Sequence, residues 1–410
     1  MLGSDSRLYV PATALATTTK IGSINKLSGN TTDFLDGTNT FQNLAAAVQP
    51  TIWSARLRSF NAIGNPTFEI DQRNAGTLLT NPASGILVVD RWQAQKSGTM
   101  TYSTLQAAPP PYVLVPGTNF AISRSFLQLK LLTAQATLGA GDFMQVSTQL
   151  EGTRFRELSS DVHSVSILIG SSVAPLSFAL GIHDPASTRS LVKLCTISTA
   201  NTFVLIQLPN LPVFPSSGSF VSTPGSVGYS LTICFACGST YMAPAADVWQ
   251  NGNFIGAPGM SNFTANAVNS TISIAFVQHE PGALCTTPID CPFTQNLDDC
   301  LRYFQKSYDY GTKPSTVVAP GQIGAFGPSG WSQVMADIVY PKLMAKSLTP
   351  VLYSPTTGAP NAIRASVAAV DRTLSGFSVT GSTGFAIPSV SVAAPSNEIY
   401  YFHYTADTGW

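Results

Sequence analysis

Between residues 61 and 283 the chain is a succession of short apolar runs broken by clusters of Gly, Pro, Ser and Asn. Residues 126–132 and 142–150 alternate apolar with polar positions in part, the two-residue period of a strand with one covered face. The runs at 165–169, 203–208, 230–237 and 271–278 follow, dominated by β-branched and aromatic side chains. No helical period is interleaved among them. Regular turn signals without crossover helices predict an antiparallel β-sandwich, jelly-roll-like in variant, rather than a βαβ sheet.

The period changes once. Within 294–306, Leu297, Cys300, Leu301 and Phe304 fall at i, i+3, i+4 and i+7, a single apolar stripe. Asp298 and Asp299 precede Arg302 and Lys306, the order that suits a helix dipole. The spacing predicts a connector helix docked on the sandwich, with Leu301 and Phe304 buried. Strand-like runs return at 351–353, 375–379 and 398–404, which predicts a second, small β-sandwich. Residues 1–60 keep neither period and crowd Ser, Thr, Asn and Gly into 28–39. Such an arm buries too little apolar surface to offset its ordering entropy. It is either ordered against a partner or a loose leader. The expected class is all-β: an arm at 1–60, a jelly-roll-like sandwich at 61–292, a connector helix and linker at 293–314, and a C-terminal β-sandwich domain at 315–410.

Composition narrows the function. Charged residues are 10% of the 410, against ~25% in ordinary soluble proteins. The 21 Lys and Arg balance the 21 Asp and Glu, so neither nucleic acid nor an anionic membrane is an expected partner. No run approaches the ~18–20 apolar residues of a spanning helix, and Met1 to Arg7 lacks the charged-then-apolar plan of a signal peptide. An uncharged surface rich in Ser and Thr suits a homo-oligomer better than a free monomer. This is the composition of a structural or binding protein.

Candidate chemistry is sparse. Cys234-Phe235-Ala236-Cys237 has C-x-x-C spacing, but on a regular strand residues three apart point to opposite faces. No second such pair exists, and His163, His183, His279 and His403 are scattered, so no metal site and no cofactor are expected. Cys285, Cys291 and Cys300 lie close enough in sequence for one disulfide or for free thiols packed as small hydrophobes. There is no G-x-S-x-G elbow, no H-E-x-x-H and no phosphate loop. Cleaving a glycan needs two carboxylates across a groove. Asp142, Glu151 and Glu157 are available, but nothing in the sequence brings them together. No enzymatic activity is expected. Asp90-Arg91 reads as a structural pair beside a core Trp92.

Aromatic side chains are the remaining candidates. Trp249 lies among amides in 247–254, where an indole either stacks on a sugar or plugs the sandwich end or a subunit interface. Trp331, Tyr401 and Trp410 carry the same alternatives. His403 shares the strand face of Tyr401, opposite Tyr400, Phe402 and Tyr404.

Six phrases then occur in order. They are Gly64-Asn65-Pro66-Thr67-Phe68-Glu69-Ile70-Asp71-Gln72-Arg73-Asn74, Val89-Asp90-Arg91-Trp92-Gln93, Gln149-Leu150-Glu151-Gly152, Val165-Ser166-Ile167-Leu168-Ile169-Gly170-Ser171-Ser172, Val277-Gln278-His279-Glu280-Pro281-Gly282 and Asp299-Cys300-Leu301-Arg302-Tyr303-Phe304-Gln305-Lys306-Ser307. This series, over about 61–310, resembles a family of tailed-bacteriophage fibre and virion-surface proteins with a carbohydrate-binding-module-like β-sandwich. The ending Tyr401-Phe402-His403-Tyr404-Thr405-Ala406-Asp407 looks like the small tip domain that often follows. The chain departs from the family at Phe304, where a second Tyr is usual, and at Phe203, where a Trp is expected. The resemblance implies a virion structural protein, a tail or head fibre or spike, that helps the particle meet a host-surface glycan. It implies a homotrimer held to other virion proteins by the 1–60 arm, a recognising tip at 315–410, location in the virion, and assembly in the host's reducing cytoplasm. Two alternatives stand beside it: a capsid or tail component without a receptor role, and a glycan-cleaving tailspike.

Overall fold

The computed structural model describes residues 60–109, 113–289, 291–394 and 396–410, and ahead of them two short strands, β1 (Asp33–Leu35) and β2 (Phe41–Asn43). The strands pair antiparallel, Phe34 opposite Gln42, and belong to a unit of their own, Met1–Arg56. What was expected of the rest of the 1–60 arm lies outside the described residues. The remainder is the unit Leu57–Trp410.

Its first part is a two-layer sandwich. One sheet runs in the order β16 (Trp249–Asn251), β13 (Arg189–Ile197), β12 (Leu176–His183), β15 (Val227–Cys237), β10 (Phe143–Glu151), β5 (Trp92–Ser97), β4 (Ile86–Val89). The other runs β14 (Phe203–Leu211), β11 (His163–Ser171), β17 (Thr271–Pro281), β9 (Phe126–Thr133), β6 (Thr101–Ala107), β3 (Leu79–Thr80). The ladders are antiparallel. The chain crosses between sheets at most steps from β9 to β17, which makes the sandwich jelly-roll-like. A ribbon of β7 (Val113–Leu114) and β8 (Ala121–Ser123) stands beside it.

Alternation builds the core. In β9, Leu127, Leu129 and Leu131 are fully buried while Gln128 and Lys130 are half-buried. Phe178, Leu180 and Ile182 of β12 and Tyr229, Leu231 and Ile233 of β15 join the same cluster from the other sheet. Burial of each such side chain is worth about 1.5–3 kcal/mol. Trp92 belongs to this core, its ring 4.8 Å from that of Phe68 and its indole N–H donated to Asn65 O at 3.1 Å.

A bulge corrects one expectation. Gln145 pairs with Cys234 but Met144 pairs with Ala236, so Phe235 is an extra residue in β15. The extra residue reverses the alternation beyond it. Cys234 and Cys237 therefore share one small cluster with Ala179, Val192 and Ile255 instead of facing opposite ways. Cys195, Cys234, Cys237, Cys285 and Cys300 are free thiols. Among the described residues no three His, Cys, Asp or Glu are grouped to hold a metal, and no helix is long and apolar enough to cross a membrane.

The connector helix is shorter than its apolar stripe. It spans Phe293–Leu301, and the chain then enters β18 (Phe304–Lys306), where Phe304 pairs with Asp407. Phe304 is buried by that ladder, and Leu301 is only half-buried. On the helix itself Asn296 and Cys300 face inward, the Asn296 amide donating to Asn65 Oδ1 and Thr67 Oγ1 at 3.2 Å. Residues 304–306, inside the segment expected as linker, thus pair into the C-terminal sheet. That sheet runs β18, β25 (Glu398–Asp407), β22 (Ala362–Ala365), β23 (Val370–Thr380), β24 (Gly384–Val390), β20 (Asp337–Val339). Two more strands, β19 (Ile323–Gly327) and β21 (Val351–Tyr353), also pair with β25. Leu352, Ile363, Phe385, Tyr400, Phe402 and Tyr404 form a core separate from that of the sandwich.

Candidate functional site

The five candidates from the sequence do not form one site. Trp249 sits on edge strand β16, its indole N–H donated to Val213 O at 3.0 Å and its ring 5.4 Å from Phe214 and 5.6 Å from Phe220. It packs against the sandwich end. The other four lie in the C-terminal domain. His403 is fully buried, stacked 3.9 Å from Tyr308, with Nδ1 at Ser307 Oγ and Nε2 at Val318 O. Trp410 is buried with its ring 5.7 Å from Tyr303. Both are interior packing groups, a correction to their expected role: the domain turns the strand face of His403 against the loops around 308 and 318, and Trp410, beyond that strand, packs on Tyr303. Tyr401 is half-buried beside Gly324. Trp331 alone of the five is open, 52% exposed.

Four of the six phrases, those at 64–74, 89–93, 149–152 and 299–307, meet at the junction of the two domains. Arg73 bridges Asp90 of the β4–β5 turn, at 2.7 Å, and Asp407 of the last strand, at 2.7 Å, with its guanidinium 4.3 Å above the Phe304 ring. Gln72 donates to Asp90 Oδ2 at 2.8 Å. The Arg91 guanidinium lies 3.6 Å over the Tyr303 ring. Glu151 accepts from Arg302 Nε at 2.8 Å, Tyr303 OH at 2.8 Å and Gly225 N at 2.7 Å. Burial works to raise its carboxyl, but the bonds from Arg302, Gly225 and Tyr303 prevail and hold it below the usual carboxylate range. Lys306 Nζ donates to the carbonyls of Gln72, Tyr310 and Thr312 at 2.7–2.8 Å. These charges fasten one domain to the other. The carboxylates considered for hydrolysis are dispersed: Glu151 is in this junction, Asp142 accepts from Gln135 and Gly139 N in a turn, and Glu157 pairs with Arg156.

A different surface has the geometry of a binding site, and the five candidates missed it. On the outer face of the seven-stranded sheet, cross-strand register stacks three polar rows. The first holds Gln95, Gln145 and Cys234; the second Gln93, Ser147, Thr232 and Gly181; the third Gln149, Ser230 and His183. Small side chains occupy the middle of the face and amides its β5–β10 side. Tyr241, Asn253 and Ile255 rise along another wall, and Pro185 and Ser187 close the end. The groove holds about 240 Å³. Phe143 and Tyr241 meet edge to face at its margin, ring centroids 5.5 Å apart. Its signal in the sequence is the polar half of the alternation, Gln93 and Gln95 in β5 and Gln145, Ser147 and Gln149 in β10.

The groove is electrically neutral. Among the described residues no Asp, Glu, Lys or Arg lines it. Burial pushes His183 down to about 4 against the pull of neighbouring Asp184, so the imidazole is uncharged at neutral pH. Asp184 fixes the closing turn, accepting from Thr188 N and Oγ1, Arg189 N, and Ser219 N and Oγ at 2.6–2.9 Å. Burial opposes its charge, yet those donors bring its carboxyl down to about 2. The amides are coupled: Gln95 donates to Gln93 Oε1 at 3.1 Å, and Gln145 donates to Gln95 Oε1. Such an arrangement can exchange hydrogen bonds with a polyhydroxylated ligand and offer one aromatic edge to its C–H face. A larger cleft of about 580 Å³, lined by Glu69, Arg124 and Phe293, mixes charged and apolar groups, and its Glu69 already accepts from Arg124 N at 2.9 Å.

No known family profile matches the chain, and no curated protein does. Solved structures similar to it include TmCBM61 in complex with beta-1,4-galactotriose, at 10% identity over 54% of this chain and 98% of that one, TM-score 0.26. The family 11 carbohydrate-binding module from Clostridium thermocellum, in complex with a beta-1,3-1,4-mixed-linked tetrasaccharide, has 10% identity over 51% and 98%, TM-score 0.26. The enzymatically active domain of bacteriophage CBA120 tailspike protein 4 has 12% identity over 53% of this chain and 21% of that one, TM-score 0.26. The structures it is similar to are thus β-sandwich carbohydrate-binding modules and a phage tailspike domain.

Proposed function

We propose that the chain is a structural protein of a bacteriophage particle, a tail or head fibre or spike, whose sandwich binds a glycan of the host surface. The observation that carries the binding half of this reading is the neutral groove of amides, hydroxyls and one imidazole on the open sheet face. The virion half is supported by the six ordered phrases, four of which are used in one construction, the junction that couples sandwich to C-terminal domain. The protein binds without cleaving. In support, the paired carboxylates of a glycosidase, about 5–10 Å apart, have no counterpart among the described residues lining the groove. It acts as a homotrimer in the virion, attached to other virion proteins by residues 1–60.

One observation favours a second reading. Trp331, Met335, Val339 and Leu343 are each more than half exposed on the C-terminal domain, and open apolar side chains suit a packing surface. In that reading the chain is a capsid or tail component without a receptor role. The test is to incubate the purified full chain with host cells and with their isolated surface polysaccharide, while gold-labelled antibody to the chain is imaged on particles. Saturable binding without release of reducing ends, and gold at a fibre or spike, is expected. Labelled particles with no polysaccharide binding would favour the packing role, and released reducing ends would favour a tailspike. Particles that carry no label would remove the virion assignment.

A further inference from the structure

Certain polar atoms of the groove have no partner in the protein. Both ring nitrogens of His183 and Oε1 of Gln145 make no hydrogen bond, although His183 is 4% exposed and Gln145 7%. An unpaired buried polar group is costly to folding, so these atoms mark a place completed by something else. The His183 ring folds back along its own strand face, and a Cβ built on Gly181 would lie 2.7 Å from Nε2. Residues two apart share that face. A glycine at 181 is what leaves room for the imidazole at the edge of the small-residue floor, beside Thr232 and Ser230.

The lining also limits the occupant. A neutral imidazole offers one donor and one acceptor, an amide offers both, and a hydroxyl of Ser or Thr offers both. A sugar hydroxyl needs that combination. A carboxylated or sulfated sugar would instead bring a charge into a groove without a cation to receive it. We infer that the groove takes a neutral saccharide, a hexose or short neutral oligosaccharide, and that His183 is the contact that determines its specificity, directly or through a bridging water. This rests on the glycan-binding reading above and adds to it the ligand class and the residue.

The test uses the full chain carrying 15N-labelled histidine. Neutral gluco-, galacto- and manno-oligosaccharides are titrated in, then oligogalacturonate and sialyllactose as acidic probes, with affinities from calorimetry. The chain has four histidines, so His163, His279 and His403 serve as internal controls of the fold. Expected is movement of the His183 ring signals on adding a neutral oligosaccharide, with acidic probes bound at least roughly tenfold more weakly. Gly181→Ala and His183→Asn should each weaken neutral binding about tenfold while the remaining control signals stay in place. Tighter binding of acidic probes overturns this inference and leaves glycan binding standing. So does neutral binding that leaves the His183 signals of the unaltered chain unmoved, whatever the variants do. Failure of every probe to bind overturns both.

Discussion

The junction and the groove are made of opposite materials. At the junction Arg73, Asp90, Glu151, Arg302 and Asp407 are drawn into ion pairs, and Arg91 is sheathed by an aromatic ring. The groove contains no charged side chain among its described lining residues; buried polar atoms without a partner occur in both regions, on His183 and Gln145 in the groove and on Arg91 at the joint. The contrast follows from solvation. A buried charge is tolerated when paired, and pairing fixes the orientation of whatever carries it. An amide or hydroxyl is cheaper to desolvate and can trade one partner for another. The first suits a fixed joint, the second an exchangeable ligand. The charged residues of four recognisable phrases therefore write the joint, and the proposed binding groove is lined chiefly by ordinary Gln, Ser and Thr, Gln93 and Gln149 of those phrases among them.

The comparison can be broken most forcefully at the joint. Phe304→Ala should cost about 3–5 kcal/mol through lost burial and a cavity under the Arg73 guanidinium. Calorimetry should show a melting temperature lower by roughly 10 °C, with glycan affinity of the folded protein unchanged. An unaltered melting temperature would mean that the ladder, not the side chain, holds the domains together.

Glu151→Ala should also destabilise by about 3–5 kcal/mol, because Arg302, Tyr303 OH and Gly225 N lose a common acceptor. Denaturant unfolding followed by tryptophan fluorescence would measure it. A loss below about 1 kcal/mol would place this pair with weak surface ion pairs.

Acid should weaken the fold through buried histidines rather than through the joint. His163 and His183 are pushed down to about 4 by burial, and His279, whose Nδ1 meets Tyr229 OH at 2.7 Å and whose Nε2 meets His163 Nδ1 at 2.9 Å, is also held well below the usual imidazole range by burial. The unfolded chain takes up these protons near pH 6.5 and the folded chain does not. Stability should therefore be full above about pH 6.5 and fall as pH drops toward 4, by up to about 1.4 kcal/mol per pH unit for each histidine. Melting curves between pH 7 and 4 check the sign; His183→Gln should reduce the slope by about one proton. A flat profile would show that these rings are not held neutral.

The smallest effect on stability is expected at the groove. Gln95→Ala combined with Gln145→Ala removes a coupled amide pair and should cost about 1 kcal/mol or less. Saccharide affinity should nevertheless fall about tenfold by calorimetry. A large stability loss with unaltered binding would make the amides structural and remove the contrast between the two regions.

Much of this architecture was legible before any coordinates. The alternation of Leu127, Leu129 and Leu131 and the aromatic-rich β15 run announced strands, and Trp92 read as core. The connector helix was legible in place but not in length, because Phe304 belongs by spacing to the stripe and by pairing to a strand. Cys234 and Cys237 were misjudged for a similar reason: a bulge depends on what the neighbouring strand does. His403 and Trp410 read as candidates because aromatic density looks the same in a core and at a surface.

By itself the sequence determined the class, an all-β chain of antiparallel sheets with a short helix, since strand period, turn residues and a single helical stripe are local properties. It also determined a net charge of zero and a low share of charged residues, since charge counts need no fold. Only the tertiary structure decided that four separated phrases converge on one joint, and that Gln95, Gln145, Ser147, Thr232 and His183 share one face. Those residues come from four strands spread over some 140 positions of chain, and cross-strand register is a property of pairing partners rather than of either strand alone.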